Sequence, residues 1–223
     1  VTHFNGPLTG SPRWSPDGKR LAFDSRATGN AEIYVMDAAN PGAPSRFTND
    51  NSENVVPSWS RDGRFIYFAS KRSGTWQVWK KPGEGGGTPE QVTRRGGFMA
   101  FESEDGAWVF YNKELPKPSI WRVPVHGGEE ELMIDSLKTE MWGNWAVGSK
   151  GLYFLDYRPQ LSPPIAGFEF LDFSTRDVRE LGRTSRKPTP WNTGLAISPD
   201  ERRILFTQID REGSDIMLGE GFR

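Results

Sequence analysis

The chain has 223 residues, 35% of them hydrophobic and 26% charged, with 25 glycines, 17 prolines and a net charge of −1 from 28 basic and 29 acidic side chains. The apolar share is ordinary for a globular protein, and the glycines and prolines fall between apolar runs, so disorder is excluded. Balanced charge offers no general field to nucleic acid or an anionic membrane. No apolar run approaches a membrane span, and the absence of cysteine removes disulfides, thiolate metal sites and cysteine nucleophiles.

The opening Val1-Thr2-His3, without methionine or a signal-like segment, reads as the start of a processed or trimmed product. Pro12–Ser15 reads as a short strand entering the turn Pro16-Asp17-Gly18. There proline presets φ, aspartate bonds nearby backbone and glycine takes the conformation other residues resist. Arg20–Asp24 follows as a second strand; beyond the loop Ser25–Ala31, Glu32–Asp37 is a third and Ser45–Thr48 a fourth. The order then recurs. Second strands are predicted at Phe65–Ala69, Trp108–Tyr111, Leu152–Leu155 and Ile204–Thr207. Third strands fall at Trp76–Lys80, Ile120–Val125, Phe168–Phe173 and Asp215–Leu218, and fourth strands at Glu90–Thr93, Glu131–Ile134 and Val178–Leu181.

The turn is the clearest repeating mark. It reads SPDG at Ser15–Gly18, SRDG at Ser60–Gly63, SEDG at Ser103–Gly106 and SPDE at Ser198–Glu201, with a faint copy, VGSKG, at Val147–Gly151. Asp17, Asp62 and Asp105 are 45 and 43 residues apart, and Asp200 lies 95 further on, two such steps. A period of that size built from short strands predicts an all-β fold, a β-propeller of five four-stranded blades in one domain. The blade units run over about 5–49, 50–94, 95–136, 137–183 and 184–223. The last unit supplies three strands, and Val1–Phe4 is expected to add the fourth and close the ring. The competing reading is a fragment of a larger ring.

The strings Pro12–Phe23, Glu32–Asp37 and Arg46–Asn49, and next to them Pro57–Gly63, resemble the WD40-like repeat of the TolB propeller type. In units three to five the match survives in period but fades in sequence. The resemblance implies a rigid platform that binds a protein or peptide, in a bacterial periplasm or cytoplasm, with the periplasm favoured. It is shared by sensor regions of winged-helix regulators and by gating propellers of prolyl-oligopeptidase-type peptidases. The closing Ser214–Leu218 is similar to the regulator-associated arrays.

Hydrolytic triads need histidine, and the two histidines, His3 and the turn residue His126, are far apart. Paired carboxylates would suit a glycan hydrolase, with Glu53, Glu140 and Glu102 as candidates, whereas Asp17, Asp62, Asp105 and Asp200 belong to the repeated turn. Asn49–Asn54 gathers oxygen ligands but lacks the order of a calcium loop. The pairs Lys71-Arg72, Lys80-Lys81 and Arg94-Arg95, with Trp76 and Trp79, suggest a stacking surface, but packing explains those tryptophans better. No metal or cofactor is implied. Trp14, Trp59, Phe101 and Trp145 recur at equivalent positions and read as interblade core. Phe98, Trp142 and Trp191 lie in the connections leading to innermost strands and are expected to form an aromatic rim for a peptide or sugar, with Glu140, Asn144 and Asn192 hydrogen-bonding it. Two proline-rich insertions, Glu114–Pro118 and Arg158–Pro164, are expected to offer stiff contact surfaces. The leading expectation is a non-catalytic binding or sensing scaffold. The alternatives are the glycan hydrolase and a sensor or gating piece of a longer chain.

Overall fold

A computed structural model describes residues 8–113, 117–162, 164–191, 193–209 and 214–220, the last of these by backbone alone. It is all-β apart from one 3-10 turn, Thr139–Met141. The first sheet holds β1 (Thr9–Trp14), β2 (Arg20–Thr28), β3 (Asn30–Asp37) and β4 (Asn40–Arg46). The second holds β5 (Asn54–Trp59), β6 (Phe65–Ser70), β7 (Gln77–Pro82) and β8 (Glu90–Gln91). β9 (Ala100–Glu102), β10 (Trp108–Lys113), β11 (Ser119–Pro124) and β12 (Glu131–Ile134) form the third. β13 (Trp145–Val147), β14 (Gly151–Arg158), β15 (Ile165–Asp172) and β16 (Val178–Arg183) form the fourth. The fifth has three strands among the described residues, β17 (Leu195–Ile197), β18 (Arg203–Ile209) and β19 (Ser214–Glu220). Each sheet is an antiparallel meander in chain order, a propeller blade. The predicted closing strand, Val1–Phe4, lies outside the described residues.

The chain divides into two compact units, residues 1–115 with 120–133, and residues 116–119 with 134–223. Within the first unit, successive residues of β6 serve two neighbours. Ile66 and Phe68 pack with Ala22, Ile33, Phe47 and Trp59 of the first two sheets, while Tyr67 joins Val78, Ala100, Val109, Tyr111 and Val123 towards the third. A strand covered on both faces has no polar side, which explains the unbroken run Phe65–Ala69. In the second unit the same logic gathers Leu155, Phe168, Phe170, Ile204 and Phe206, with Phe168 and Phe206 edge-on at 4.9 Å.

The repeated turn is a hydrogen-bonded cage. Ser15 Oγ donates to Asp17 Oδ1 at 2.6 Å, the Lys19 N–H donates to the same oxygen at 3.1 Å, and the Arg20 N–H donates to Ser15 Oγ at 2.9 Å. Ser60 with Asp62, Ser103 with Asp105 and Ser198 with Asp200 repeat these bonds. All four aspartates are held below their ordinary range. In Asp62 the Arg64 N–H, with the Ser60 hydroxyl, brings the carboxyl to about 2; in the others the serine hydroxyl contributes most. The last turn position has φ of +70°, +71° and +67° at Gly18, Gly63 and Gly106, and φ of +53° at Glu201.

The faint fourth copy is a different turn. Val147 pairs with Leu152 and the Gly148 N–H donates to Gly151 O at 2.8 Å, so two residues replace the four of Pro16–Lys19 and the Ser–Asp cage has no room. Its missing carboxylate comes from Glu201, which accepts from the Ser149 N–H at 2.6 Å and the Tyr153 hydroxyl at 2.9 Å. Burial pushes the Glu201 carboxyl up, but these bonds hold it below its ordinary range.

Three of the outer strands, β4, β8 and β16, are followed by a threonine clasp. Thr48 Oγ1 accepts the Ile33 N–H at 2.9 Å, Thr93 Oγ1 that of Val78 at 2.9 Å, and Thr184 Oγ1 that of Ala166 at 2.8 Å. The first two hydroxyls donate onward, Thr48 to buried Glu32 and Thr93 to Gln77 Oε1 at 2.9 Å; Ile165 precedes Ala166 in the fourth sheet and has no such acceptor. Two sequence expectations shift here. The loop Ser25–Ala31 is mostly strand, because β2 and β3 continue their ladder to Thr28↔Asn30 around the tip at Gly29, φ +104°. β4 ends at Arg46, because Thr48 turns its hydroxyl back into the clasp.

Candidate functional site

In the second unit, two connections lead to first strands. The one before β13 passes through the 3-10 turn and carries Glu140, Trp142 and Asn144; the one before β17 carries Trp191. They are stitched together by the Trp191 N–H, which donates to the Glu140 carbonyl at 2.8 Å. Trp191 is 63% exposed and has φ of +62°, a left-handed backbone that a bulky side chain rarely adopts. Trp142 and Glu140 are half-buried. Asn144 is fully buried: its N–H donates to Met141 O at 3.0 Å, its amide nitrogen reaches Met141 Sδ at 3.7 Å, and its carbonyl accepts from Leu155 N–H at 3.1 Å. It therefore holds the 3-10 turn against β14. Asn192 lies outside the described residues. Phe98, in the first unit, is half-buried and meets Trp76 edge-on at 5.0 Å.

The first unit contains an arrangement the sequence reading passed over. β1 lies beside β5 and β5 beside β9, as inner strands of neighbouring blades do. Two of them carry equivalent bulges, between Gly10 and Arg13 and between Val55 and Ser58, with Ser11 at φ +53° and Val56 at φ +48°. A β-branched residue in that region is a genuine outlier. Asp24 steadies both bulges, accepting from the Val56 N–H at 3.2 Å and from the Ser11 side chain, although burial pushes its carboxyl up. The Trp59 indole N–H donates to Arg13 O at 3.1 Å, and Ser58 Oγ to Ala100 O at 2.6 Å, so three inner strands are cross-linked. Arg13 reaches past the second blade and stands 5.3 Å above the Phe101 ring of β9. Trp14 and Trp59 share a repeat position but differ in burial. Trp59 is 7% exposed under the Arg20 guanidinium at 4.6 Å, whereas Trp14 is 60% exposed.

A groove of about 840 Å³ opens at the outer ends of the second and third sheets, lined by Arg94, Arg95, His126, Gly127, Glu129 and Glu130 among others. Glu130 organises it by accepting the Arg94 and Arg95 N–H groups at 3.0 and 3.4 Å and Lys113 Nζ at 2.8 Å. Burial raises its carboxyl, but these bonds and Tyr111 leave it below the ordinary range.

The remaining sequence candidates are occupied within the fold. Glu53 pairs with Arg26 at 2.7 Å, and Glu102 accepts the Tyr67 hydroxyl at 2.8 Å. In the Asn49–Asn54 loop, Arg72 holds Asp50 at 2.6 Å and Asn54 Oδ1 at 3.0 Å, filling oxygen positions a cation would need. Lys71 lies over Trp76 and Arg72 over Trp79, at 4.8 and 5.0 Å, so these cations and rings pack on one another. Of the proline insertions, Lys117 pairs with Asp135 at 2.8 Å and Leu161 is 39% exposed, while 114–116 and 163 lie outside the described residues. Among the described residues, no helix is long and apolar enough to cross a membrane.

Residues 1–146 match the TolB beta propeller domain family, PD40. No curated protein sequence matches the chain. Among solved structures, TolB from Acinetobacter baumannii is similar with a TM-score of 0.77 and 19% identity, covering 96% of this chain and 52% of that one. A puromycin-hydrolyzing peptidase of Mycobacterium tuberculosis is similar with a TM-score of 0.60 and 15% identity over 89% of this chain and 34% of its own. A chain of the nidogen/laminin complex reaches 0.68 at 10% identity over 91% of this chain and 72% of its own. The chain thus spans about half of the TolB structure and a third of the peptidase.

Proposed function

We propose that this chain, which belongs to the TolB β-propeller domain family, is a non-catalytic scaffold that binds a protein or peptide, working in the periplasm. The observation that carries the reading is Trp191: a large aromatic, 63% exposed, on a left-handed backbone pinned to Glu140 O at 2.8 Å. Strain persists only where the surroundings over-determine it, and such residues cluster at binding sites. An exposed indole carried on a fixed backbone is a pre-organised anchor to that extent, because the backbone has less entropy to lose on binding. In this reading Trp142 extends the apolar rim of the second unit, Glu140 offers a polar edge and Asn144 positions the turn.

The test is selection of binders from a random dodecapeptide library, followed by anisotropy titration of the selected peptides against wild type, Trp191→Ala and Trp142→Ala. A loss of about tenfold or more in Trp191→Ala with an unchanged melting temperature is expected, the range of an interface anchor. Peptides that bind both proteins equally, or a library that yields no binder, would overturn the reading.

A further inference from the structure

We infer that Arg13, on the inner strand of the first blade, is a receptor for a carboxylate carried by an extended acidic peptide. The peptide nature of the ligand rests on the function proposed above; the carboxylate rests on the following observations.

Arg13 is half-buried, and the only side-chain hydrogen bond it makes among the described residues runs from Nη1 to the neighbouring Pro12 carbonyl at 3.2 Å. No described carboxylate pairs with it. Most such cations elsewhere in the fold are paired with a carboxylate, and Lys81, which has no ion pair among the described residues, donates to the Phe47 carbonyl at 2.9 Å. Arg20, Arg72, Lys113, Arg122 and Arg158 are each at most 24% exposed by side chain, and each holds at least one carboxylate at 3.2 Å or less. A guanidinium removed from much of its water and left without a counter-charge is the exception that calls for an explanation. Burial also pushes its pKa down, with no described acidic neighbour opposing the shift.

The rest of the site is built to hold that cation still. Trp59 fixes the Arg13 carbonyl at 3.1 Å, and the strained bulge beginning at Ser11 sets where the side chain leaves the strand. Phe101 lies under the guanidinium at 5.3 Å, so one face rests on a ring and the N–H edge is what a ligand meets. A guanidinium edge is matched by the two oxygens of a carboxylate, which bind it side by side. An inner strand has no sheet neighbour on its free side, so the ligand that suits this approach is extended backbone bearing acidic side chains.

The probe is an end-blocked octapeptide of alternating glycine and glutamate, compared with its glycine–glutamine counterpart and with inorganic phosphate. Binding is read from the ¹⁵Nε resonance of Arg13 at low salt in the intact chain. A saturable shift with the glutamate peptide is expected, absent with the glutamine peptide, together with about tenfold tighter binding that weakens with added salt. Arg13→Gln should abolish the preference, and Arg13→Lys, which keeps charge but loses the fork, should retain part of it. An unmoved Arg13 resonance, an unchanged preference in Arg13→Gln, or a response to phosphate alone overturns the inference. Trp191→Ala separates the two readings. Binding lost there with Arg13 silent sinks the Arg13 site and spares the rim, whereas an Arg13 response indifferent to Trp191 does the reverse.

Discussion

Glu201 sits where the other three Ser–Asp turns have glycine, at φ +53°, and its carboxylate serves a neighbouring blade. Replacing it tests both facts at once. The left-handed backbone costs a residue with a β-carbon about 1 kcal/mol, which glycine does not incur. The bond from Ser149 N–H is exposed and is replaced by water at a loss of about 0.5 kcal/mol, whereas Tyr153 is buried and loses about 1–1.5 kcal/mol. Glu201→Ala keeps the strain and loses both bonds, so it should destabilise by about 2 kcal/mol. Glu201→Gly loses the same bonds but sheds the strain, leaving about 1 kcal/mol. At about 2–4 °C per kcal/mol for a chain of this size, the alanine variant should melt several degrees below wild type and the glycine variant between them. Thermal melts followed by tryptophan fluorescence decide the order. If alanine proves as stable as glycine, the left-handed strain is not what the φ value implies; if neither departs from wild type, the carboxylate bonds are without consequence.

Thr93→Val keeps the shape of the clasp but strands the buried Val78 N–H, and should destabilise by about 1–3 kcal/mol in a denaturant titration. The aspartates of the four cages have folded pKa values below their unfolded value of about 3.9. Their stabilisation is therefore present above about pH 4 and is lost as pH falls through the folded values, towards about 2 for Asp62. Asp62→Asn should flatten the dependence of melting temperature on pH in that window; an unchanged slope refutes the assignment. Glu102 is the opposite case: burial raises its carboxyl, so stability falls as pH rises through its folded pKa. Glu102→Gln, which still accepts from the Tyr67 hydroxyl, should equal or exceed wild type at pH 8 and lose that advantage at pH 4, as read from paired melts.

The parts of the fold legible in the sequence were those whose bonds close locally. Ser15, Asp17 and Arg20 complete their cage within six residues, so four recurrences of the pattern were enough to place four blades and their strands. The fourth turn was harder, because its defining partner, Glu201, lies 52 residues from Ser149 and no local pattern announces it. Trp14 and Trp59 show the same limit from another side: identical residues in matching strings, one exposed and one packed beneath Arg20. At the candidate sites, spacing put Trp142 and Trp191 on the right connections, but the left-handed backbone of Trp191 and the burial of Asn144 depend on tertiary packing. Arg13 carried no signal at all. Its distinction is the lack of a described carboxylate nearby, a property of everything folded around it and not of its own neighbours in sequence.

The borrowed carboxylate also orders events in time. A chain leaving the ribosome from its N-terminus can finish the Ser15, Ser60 and Ser103 turns almost as soon as they emerge, since every donor and acceptor is at hand. The hairpin at Gly148 must wait for some fifty more residues before Glu201 arrives to satisfy Ser149 and Tyr153. The fourth blade is thus the one whose first hairpin stays incomplete during synthesis, and its maturation is tied to the arrival of the fifth.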